Sequence, residues 1–266
     1  MMSLFQRLHL AESLARRAGD TLLAARRDGS FSSRLKRGEE LVTDIDIQLD
    51  TMISAELAAL FPNDQRLTEE LTPNATSPTL MYDALWVVDP IDGTVNFAHG
   101  HVHVAVSIAW CLHGEPQIGV VHAPFLNDTY TAIRGEGAWR NGTPIRCRDV
   151  AALDEALIGT GFPYDRGARQ AHLALAGRVL NCCRDLRRNG AAALDLCHVA
   201  DGRLDGFFES VSPWDMAAGS LIACEAGALF DHYAPVPEGR PPALYSQHML
   251  VCAPSLRAPL QSLLSS

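Results

Sequence analysis

Two aspartates, Asp89 and Asp92, stand three residues apart at the end of an apolar run in the stretch WVVDPIDGTVNF, residues 86–97. The apolar residues predict a buried strand, and Gly93 lets the chain reverse direction after it. Both carboxylates could then point off one edge of a sheet, where two like charges are costly to keep ionised unless a cation lies between them. The pair therefore indicates either a metal site or a turn in which the carboxylates accept hydrogen bonds from backbone amides.

Two other aspartates stand where helices are predicted to begin. Asp215 lies three residues after Ser212, and Asp46 lies three residues after Thr43, so each could complete the capping box of a helix. The helix dipole also keeps a carboxylate at the N-terminus ionised, which a hard cation requires of its oxygen ligands. A structural cap and a metal ligand are therefore both open for these two residues.

Glutamates and histidines near the same stretch give weaker indications of a metal site. Glu69 and Glu70 end the short segment QRLTEE, where a solvated pair of charges is the simpler explanation. His101 and His103 are two residues apart and would share one face of a strand. Because oxygen ligands suited to a hard cation are already abundant nearby, we do not expect the histidines to bind a metal.

Two further groups of reactive residues are expected to be structural. Asp195 and His198 lie on the helix that follows Gly190, and the periodicity of that helix places them towards solvent. The adjacent Cys182 and Cys183 are expected to make a buried apolar contact rather than a redox site. The seven cysteines show no zinc-type CxxC spacing, which predicts reduced, buried thiols.

Composition places the chain among folded soluble proteins. Of its 266 residues, 47% are hydrophobic and 20% are charged, and 31 acidic against 22 basic side chains give a formal net charge of -9. This balance makes nucleic acid an unexpected partner. The sequence contains no apolar run of membrane-spanning length, and its N-terminus lacks the apolar core of a secretory signal. We therefore expect a cytoplasmic protein without a membrane partner.

The predicted order of helices and strands, which must position these residues, changes near residue 150. Before it, two amphipathic helices precede a run of strands, which is an α+β pattern. After it, strands alternate with helices, which is an α/β pattern. No linker marks the change, so the division into domains 1–150 and 151–266 is soft, and the chain could be one compact unit. Two polar segments, 26–40 and 68–78, are predicted to be loops.

Taken together, the motifs resemble those of the inositol monophosphatase family. In chain order they are LVTxxD, the EE pair, WVVDPIDGTxNF with VAVSIA, RxxGAAALDLCxVAxGRLDGFFE, and PWDxAAG before EAG. They extend from about residue 41 to residue 227 and so cover most of the chain. The asparagine and phenylalanine after DPIDGT are more similar to inositol monophosphatases than to the 3′-phosphoadenosine phosphatase branch. The resemblance implies an α+β half and an α/β half in a layered αβαβα sandwich.

The resemblance also implies the roles of individual residues. The first half would bind metal and phosphate, and the second would supply Asp215 and contacts to the substrate. Ligands to two or three Mg²⁺ ions would be Glu69, Asp89, Asp92, Asp215 and the backbone carbonyl of Ile91, with Asp89 bridging two ions. Catalytic residues orienting the attacking water would be Glu69, Thr94 and Asp46. Substrate contacts would be Asp92, Gly93, Thr94, Gly190, Ala192 and Glu209.

Three departures from the family pattern affect these assignments. Thr68 stands before Glu69 where the family commonly has glycine, which leaves the choice between Glu69 and Glu70 open. Ala191 replaces a serine or threonine and removes one hydroxyl contact. The run ESVSPW from Glu209 is one residue shorter than in familiar members. The metal ligands are thus complete, while the substrate contacts are altered.

The activity implied by the resemblance is Mg²⁺-dependent, Li⁺-sensitive hydrolysis of a phosphate monoester by a homodimer. The substrate would be a small phosphorylated polyol or amino alcohol, with inositol 1-phosphate as the first candidate. Alternatives of the same chemistry are phosphatases for histidinol phosphate, a sugar bisphosphate or NADP. An alternative of a different class is a regulatory or scaffold protein built on the phosphatase fold, although the complete carboxylate set favours an enzyme.

Overall fold

Helices and strands alternate along the described part of the chain, which comprises residues 2–36, 40–74 and 81–265 of a computed structural model. The helices are α1 (Leu4–Asp28), α2 (Asp44–Leu60), α3 (Thr94–Ala98), α4 (Arg169–Leu180), α5 (Ala192–Ala200), α6 (Pro213–Glu225) and α7 (Arg257–Leu264). The first nine strands are β1 (Ser33–Lys36), β2 (Glu40–Thr43), β3 (Gln65–Thr68), β4 (Leu85–Asp92), β5 (Ala105–Leu112), β6 (Glu115–Ala123), β7 (Asp128–Ile133), β8 (Gly137–Arg140) and β9 (Thr143–Pro144). The remaining strands are β10 (Leu157–Thr160), β11 (Asp185–Arg187), β12 (Gly206–Glu209), β13 (Leu229–His232) and β14 (Met249–Cys252).

These strands form three sheets. The large sheet has the order β3-β4-β5-β6-β7-β8-β9, with β3 parallel to β4 and the later pairs antiparallel. The small sheet has the order β11-β10-β12-β14-β13, and β10 is parallel to both of its neighbours. Strands β1 and β2 make a separate antiparallel hairpin. The large sheet thus comes from the first half of the chain and the small sheet from the second.

The side chains of β4 show why helices cover both faces of the large sheet. Successive residues of a strand point to opposite faces, and here both faces are apolar. Trp86 and Val88 pack against α1 and α2 in one buried cluster. Leu85 and Val87 belong to a second cluster with residues of α5 and α6. A strand of this composition needs a helix layer on each side to keep its apolar residues from water.

The side chains of β12 likewise face helices on both sides of the small sheet, which gives five layers in all. Phe207 of β12 joins the cluster that contains α5 and α6, whereas its neighbour Phe208 lies in a third cluster with residues of α4 and α7. The order of layers is therefore α1 and α2, the large sheet, α5 and α6, the small sheet, then α4 and α7. This confirms the predicted αβαβα sandwich.

One hydrophobic cluster contains residues from both halves of the chain. Leu85 and Phe207 lie in the same cluster, although the change from α+β to α/β falls between them. The division into 1–150 and 151–266 stays a prediction about domains.

The polar segment 26–40, predicted as a loop, contains strand β1. Ser33 pairs with Thr43, and Lys36 pairs with Glu40, across the hairpin. The sequence gives no alternating pattern here because β1 is largely exposed on both faces. The prediction of a loop is wrong for this part of the segment, whereas residues 75–78 of the second predicted loop lie outside the described residues.

Helix α6 approaches its neighbours closely because small residues line it. A methyl carbon at Gly119 of β6 would lie 2.8 Å from the carbonyl oxygen of Ala218. A methyl carbon at Gly219 would lie 2.8 Å from Cβ of Leu196 on α5. These distances are shorter than van der Waals contact, so the absence of side chains at the two glycines permits the packing.

Candidate active site

The end of β4 carries the aspartate pair into the interior. Both Asp89 and Asp92 are almost fully buried, and the pairing of β4 with β5 shifts between them. Oδ1 of Asp89 accepts a hydrogen bond from the amide of Ile91 at 2.9 Å. Gly93 follows with a φ of 92°, a left-handed conformation that favours glycine, and α3 begins at once. The turn therefore exists, but it uses only part of the hydrogen-bonding capacity of the carboxylates.

A third carboxylate reaches the same place from the second half of the chain. Asp215 lies in the first turn of α6, where its Oδ2 accepts a hydrogen bond from the amide of Ser212 at 2.8 Å. One oxygen each from Asp89, Asp92 and Asp215 lies within 4.8 Å of the others. Asp215 thus both caps α6 and belongs to the cluster of three carboxylates.

Burial and mutual repulsion make it costly to keep the three carboxylates ionised without a cation. Burial, together with Glu69 and Asp215, raises the pKa of Asp89 well above its usual range. Burial and Asp215 do the same to the pKa of Asp92. Burial raises the pKa of Asp215 to about 6. The three groups offer carboxylate oxygens, and a hard divalent cation would offset their repulsion, so this donor set fits Mg²⁺.

Glu69 borders the cluster and is paired with a lysine from the hairpin. Nζ of Lys36 lies 2.7 Å from Oε1 of Glu69 and 2.6 Å from Oε1 of Glu70. Burial and the nearby Asp215 raise the pKa of Glu69 to about 8, against the opposing charge of Lys36. The two glutamates are therefore not a solvated pair. Lys36 was not predicted, because it lies in a segment whose sequence has no strand pattern.

The choice between Glu69 and Glu70 is clearer in the structure. Glu69 lines the pocket beside Asp89 and Asp92. The backbone amide of Glu70 donates to Oδ2 of Asp50 at 2.9 Å, which anchors that residue to α2. Of the two, Glu69 is placed to join the acidic cluster.

A threonine and an aspartate from different helices meet beside the cluster. Oγ1 of Thr94 lies 3.0 Å from Oδ1 of Asp46 and 3.1 Å from the carbonyl oxygen of Ile91, and its hydroxyl can donate to either. The other oxygen of Asp46 accepts a hydrogen bond from the amide of Thr43 at 2.8 Å. Burial raises the pKa of Asp46 to about 6. Asp46, which completes the capping box of α2, is thus also a hydrogen-bond partner of the Thr94 hydroxyl in the pocket.

The predicted substrate contacts lie on the same pocket as the acidic cluster. Its lining includes Gly93, Thr94, Gly190, Ala192 and Glu209, all predicted from the sequence. It also includes residues that were not predicted, namely Glu40, Phe162, Tyr164, Arg188 and Asp195. Burial, with Asp215 next in effect, raises the pKa of Glu209 to about 8.

Asp195 and His198 are buried, so the prediction that they face solvent is wrong. Helix α5 lies between the two sheets, and all its residues after the first are buried. Nδ2 of Asn189 donates to Oδ1 of Asp195 at 2.7 Å, and Nε2 of His198 lies 3.4 Å from Nη1 of Arg203. Periodicity could not reveal this because a helix enclosed on several sides has no solvent face.

The remaining predictions concern histidine and cysteine. His101 is exposed and His103 is half-buried, and neither belongs to the acidic cluster found among the described residues. Cys182 is exposed and Cys183 is half-buried. The prediction of a buried apolar contact is therefore wrong for Cys182, which follows the C-terminus of α4.

Known proteins of one family resemble this chain along nearly its whole length. The sequence model of the inositol monophosphatase family matches residues 4–264. The chain belongs to the inositol monophosphatase family. A relative from Pasteurella multocida named Nus factor SuhB is 37% identical over 253 residues, which cover 94% of this chain and 92% of the relative.

Two solved structures have a fold similar to that of this chain. The extragenic suppressor protein suhB of Bartonella henselae aligns with a TM-score of 0.85 and 30% identity, covering 99% of both chains. The IMPase of Thermotoga maritima aligns with a TM-score of 0.82 and 32% identity, covering 97% of this chain and 96% of that one. Within the described residues of this chain, we find no helix whose length and hydropathy suit a membrane crossing.

Proposed function

We propose that the protein hydrolyses a phosphate monoester with Mg²⁺, and that inositol 1-phosphate is the first candidate substrate. The observation that carries the proposal is the convergence of Asp89, Asp92 and Asp215 within 4.8 Å, with Glu69 on the same pocket. These carboxylates and the carbonyl of Ile91 would hold the metal. When bound, Mg²⁺ would lower the pKa of water and neutralise charge on the phosphate oxygens.

The chain itself would position the attacking water. Asp46 accepts a hydrogen bond from the hydroxyl of Thr94, which leaves the oxygen of Thr94 free to accept one from water. Glu69 would accept the second hydrogen bond and then the proton. The amides of Gly93 and Thr94 would bind the phosphate oxygens. No side chain needs to be phosphorylated, since water attacks in line with the leaving alcohol.

The alcohol portion of the substrate would lie against the second half of the chain. Gly190, Ala192 and Glu209 line that side of the pocket, together with the unpredicted Arg188 and Asp195. Histidinol phosphate, a sugar bisphosphate and NADP remain alternatives because all share the same phosphate chemistry. We also propose a cytoplasmic homodimer, and light scattering of the purified protein would test the dimer.

A regulatory role is the second candidate, and a specific observation favours it. The relatives at 34 to 40% identity bear the name Nus factor SuhB or putative Nus factor SuhB, rather than the name of an enzyme. A nucleic-acid partner is therefore worth testing despite the net charge of -9. A filter-binding assay that detects tight, salt-dependent RNA binding would support this role.

Turnover of inositol 1-phosphate and histidinol phosphate should be measured with Mg²⁺, with excess chelator and with Li⁺. We expect Mg²⁺-dependent, Li⁺-sensitive hydrolysis and a higher kcat/KM for inositol 1-phosphate. Asp215→Asn retains an oxygen that can accept from Ser212 but loses the charge, so it should fold and be inactive. Full turnover in chelator, or an active Asp215→Asn variant, would contradict the metal mechanism.

A further inference from the structure

Gly161 and Glu209 meet at the edge of the small sheet that faces the pocket. Gly161 follows the last residue of β10, and Glu209 is the last residue of β12. A methyl carbon built on Gly161 would overlap both carboxylate oxygens of Glu209. The carboxylate therefore occupies space that only glycine leaves open at position 161.

The backbones on either side of this contact are held in place. Thr160 pairs with Phe208 in the parallel ladder, and Oγ1 of Thr160 donates to the carbonyl oxygen of Phe208 at 2.8 Å. Nε2 of the buried His172 lies 3.0 Å from Oγ1 of Thr160, and its ring stacks on Phe208 at 5.6 Å. Because these contacts hold both strand ends, a side chain at position 161 should displace the Glu209 carboxylate before it displaces the backbone.

The carboxylate of Glu209 has no hydrogen-bond donor among the residues that the structure describes. It lines the pocket, and the charged groups that act on it are Asp215, Arg188 and Asp195. Glu209 is half-buried on the pocket wall, so its carboxylate can accept a hydrogen bond from a donor that water or a ligand supplies. The hydroxyl of a bound alcohol would be such a donor.

We propose that Gly161 is a specificity-determining residue, because its bare backbone holds open the position from which Glu209 accepts a hydrogen bond from a hydroxyl of the substrate's alcohol portion. This inference rests on the proposed function, since it requires a phosphate monoester in the pocket. Glu209 makes the contact, and Gly161 fixes where the contact is made.

Gly161→Ala is the sharpest test of this relationship. The φ of Gly161 lies outside the left-handed region, so alanine can adopt the same backbone. The group it would meet is the end of a flexible side chain, so the fold should be retained while the carboxylate moves. Gly177→Ala is the matched control, because a methyl group there, on α4, would meet nothing within 4 Å.

The experiment compares inositol 1-phosphate with p-nitrophenyl phosphate, whose leaving group has no second hydroxyl. We expect Gly161→Ala to reduce kcat/KM for inositol 1-phosphate about tenfold more than for p-nitrophenyl phosphate, chiefly through KM. Gly177→Ala should leave the ratio of the two constants at the wild-type value. In a Glu209→Ala background, Gly161→Ala should cause no further loss, because the displaced group is already absent.

The other outcomes would contradict the inference, and they can be distinguished from one another. A wild-type ratio in Gly161→Ala, or additive losses in the double variant, would overturn the role of Gly161 while leaving the phosphatase proposal intact. A melting temperature far below that of the wild-type protein would show that the fold, not Glu209, yields to the methyl group. A wild-type protein that hydrolyses neither ester would refute the proposed function, and this inference with it.

Discussion

The carboxylate of Asp92 lies at the N-terminus of helix α5, where its Oδ1 accepts a hydrogen bond from the amide of Ala192 at 2.9 Å. Its second oxygen accepts from the amide of Leu194 at 3.2 Å. Ala191, at the N-cap position, makes no side-chain hydrogen bond to the helix. Asp92 therefore caps a helix from 100 residues away while belonging to the acidic cluster. One side chain thus ties the turn after β4 to the start of α5, and both segments line the pocket.

Substitution of Asp92 should separate its two roles. Asp92→Asn keeps an oxygen that can accept from an amide but removes the charge, so Mg²⁺-dependent turnover should fall by at least about 100-fold. Asp92→Ala also removes the cap and should be less stable than Asp92→Asn by about 1 kcal/mol. Urea denaturation in chelator, with turnover assays in Mg²⁺, would measure both. Equal stability of the two variants would show that the cap contributes nothing.

Lys36 should compete with the metal for Glu69. Lys36→Met removes a positive charge 2.7 Å from a predicted ligand, so Mg²⁺ affinity measured by calorimetry should rise severalfold. In chelator the same variant should be less stable by about 3 kcal/mol, because both glutamates lose their partner. Arg17→Met is the control, since its pair with Glu56 is half exposed. Weaker Mg²⁺ binding in Lys36→Met would mean that the lysine orders Glu69 instead.

Asp195 should make stability depend on pH. Burial raises its pKa to about 7 in the folded protein, whereas the ordinary value is 3.8. Below about pH 4 both states are protonated; as pH rises to about 7, only the unfolded state loses the proton, so this group lowers the free energy of unfolding over that window. Asp195→Asn keeps an acceptor for Asn189 and should gain relative to wild type by at most about 4 kcal/mol between pH 4 and 8, at about 1.4 kcal/mol per pKa unit.

Chemical denaturation of both proteins from pH 4 to 8 in chelator would test this effect. The difference between the two proteins reports Asp195 together with its effect on Asp92 and Glu209, because the charge of Asp195 raises the pKa of both groups. A difference that is constant across the range would show that Asp195 is ionised in the folded protein.

Asp64 should matter for stability and not for catalysis. Its Oδ2 accepts hydrogen bonds from Arg7 at 2.7 Å, Trp86 at 3.1 Å and Trp110 at 3.0 Å. Asp64→Ala leaves three donors unpaired and should lower the free energy of unfolding by about 3 kcal/mol, with a smaller loss in Asp64→Asn. kcat/KM should not change, because Asp64 does not line the pocket. An altered kcat/KM at unchanged stability would contradict this assignment.

Local signals in the sequence predicted the turn at Asp89 and Asp92 and the cap at Asp215, the family resemblance implied that the three carboxylates meet, and long-range packing determined what both missed. Asp89, Asp92 and Asp215 stand in motifs whose turn and cap chemistry can be read within a few residues. The burial of Asp195 depends on two sheets that enclose α5, and the position of Lys36 depends on a hairpin without an apolar pattern. The contact of Gly161 with Glu209 joins two strand ends, so no local pattern could indicate it.

The close packing of α6 sets the depth to which Asp215 reaches. Gly119 permits the sheet to touch the backbone of Ala218, and Gly219 permits α5 to touch the same helix. A side chain at either glycine would push the helix outward and carry the carboxylate of Asp215 away from its two partners. Glycine at both positions thus keeps α6 close to its neighbours, and added volume there should separate the three carboxylates even though neither glycine belongs to the cluster.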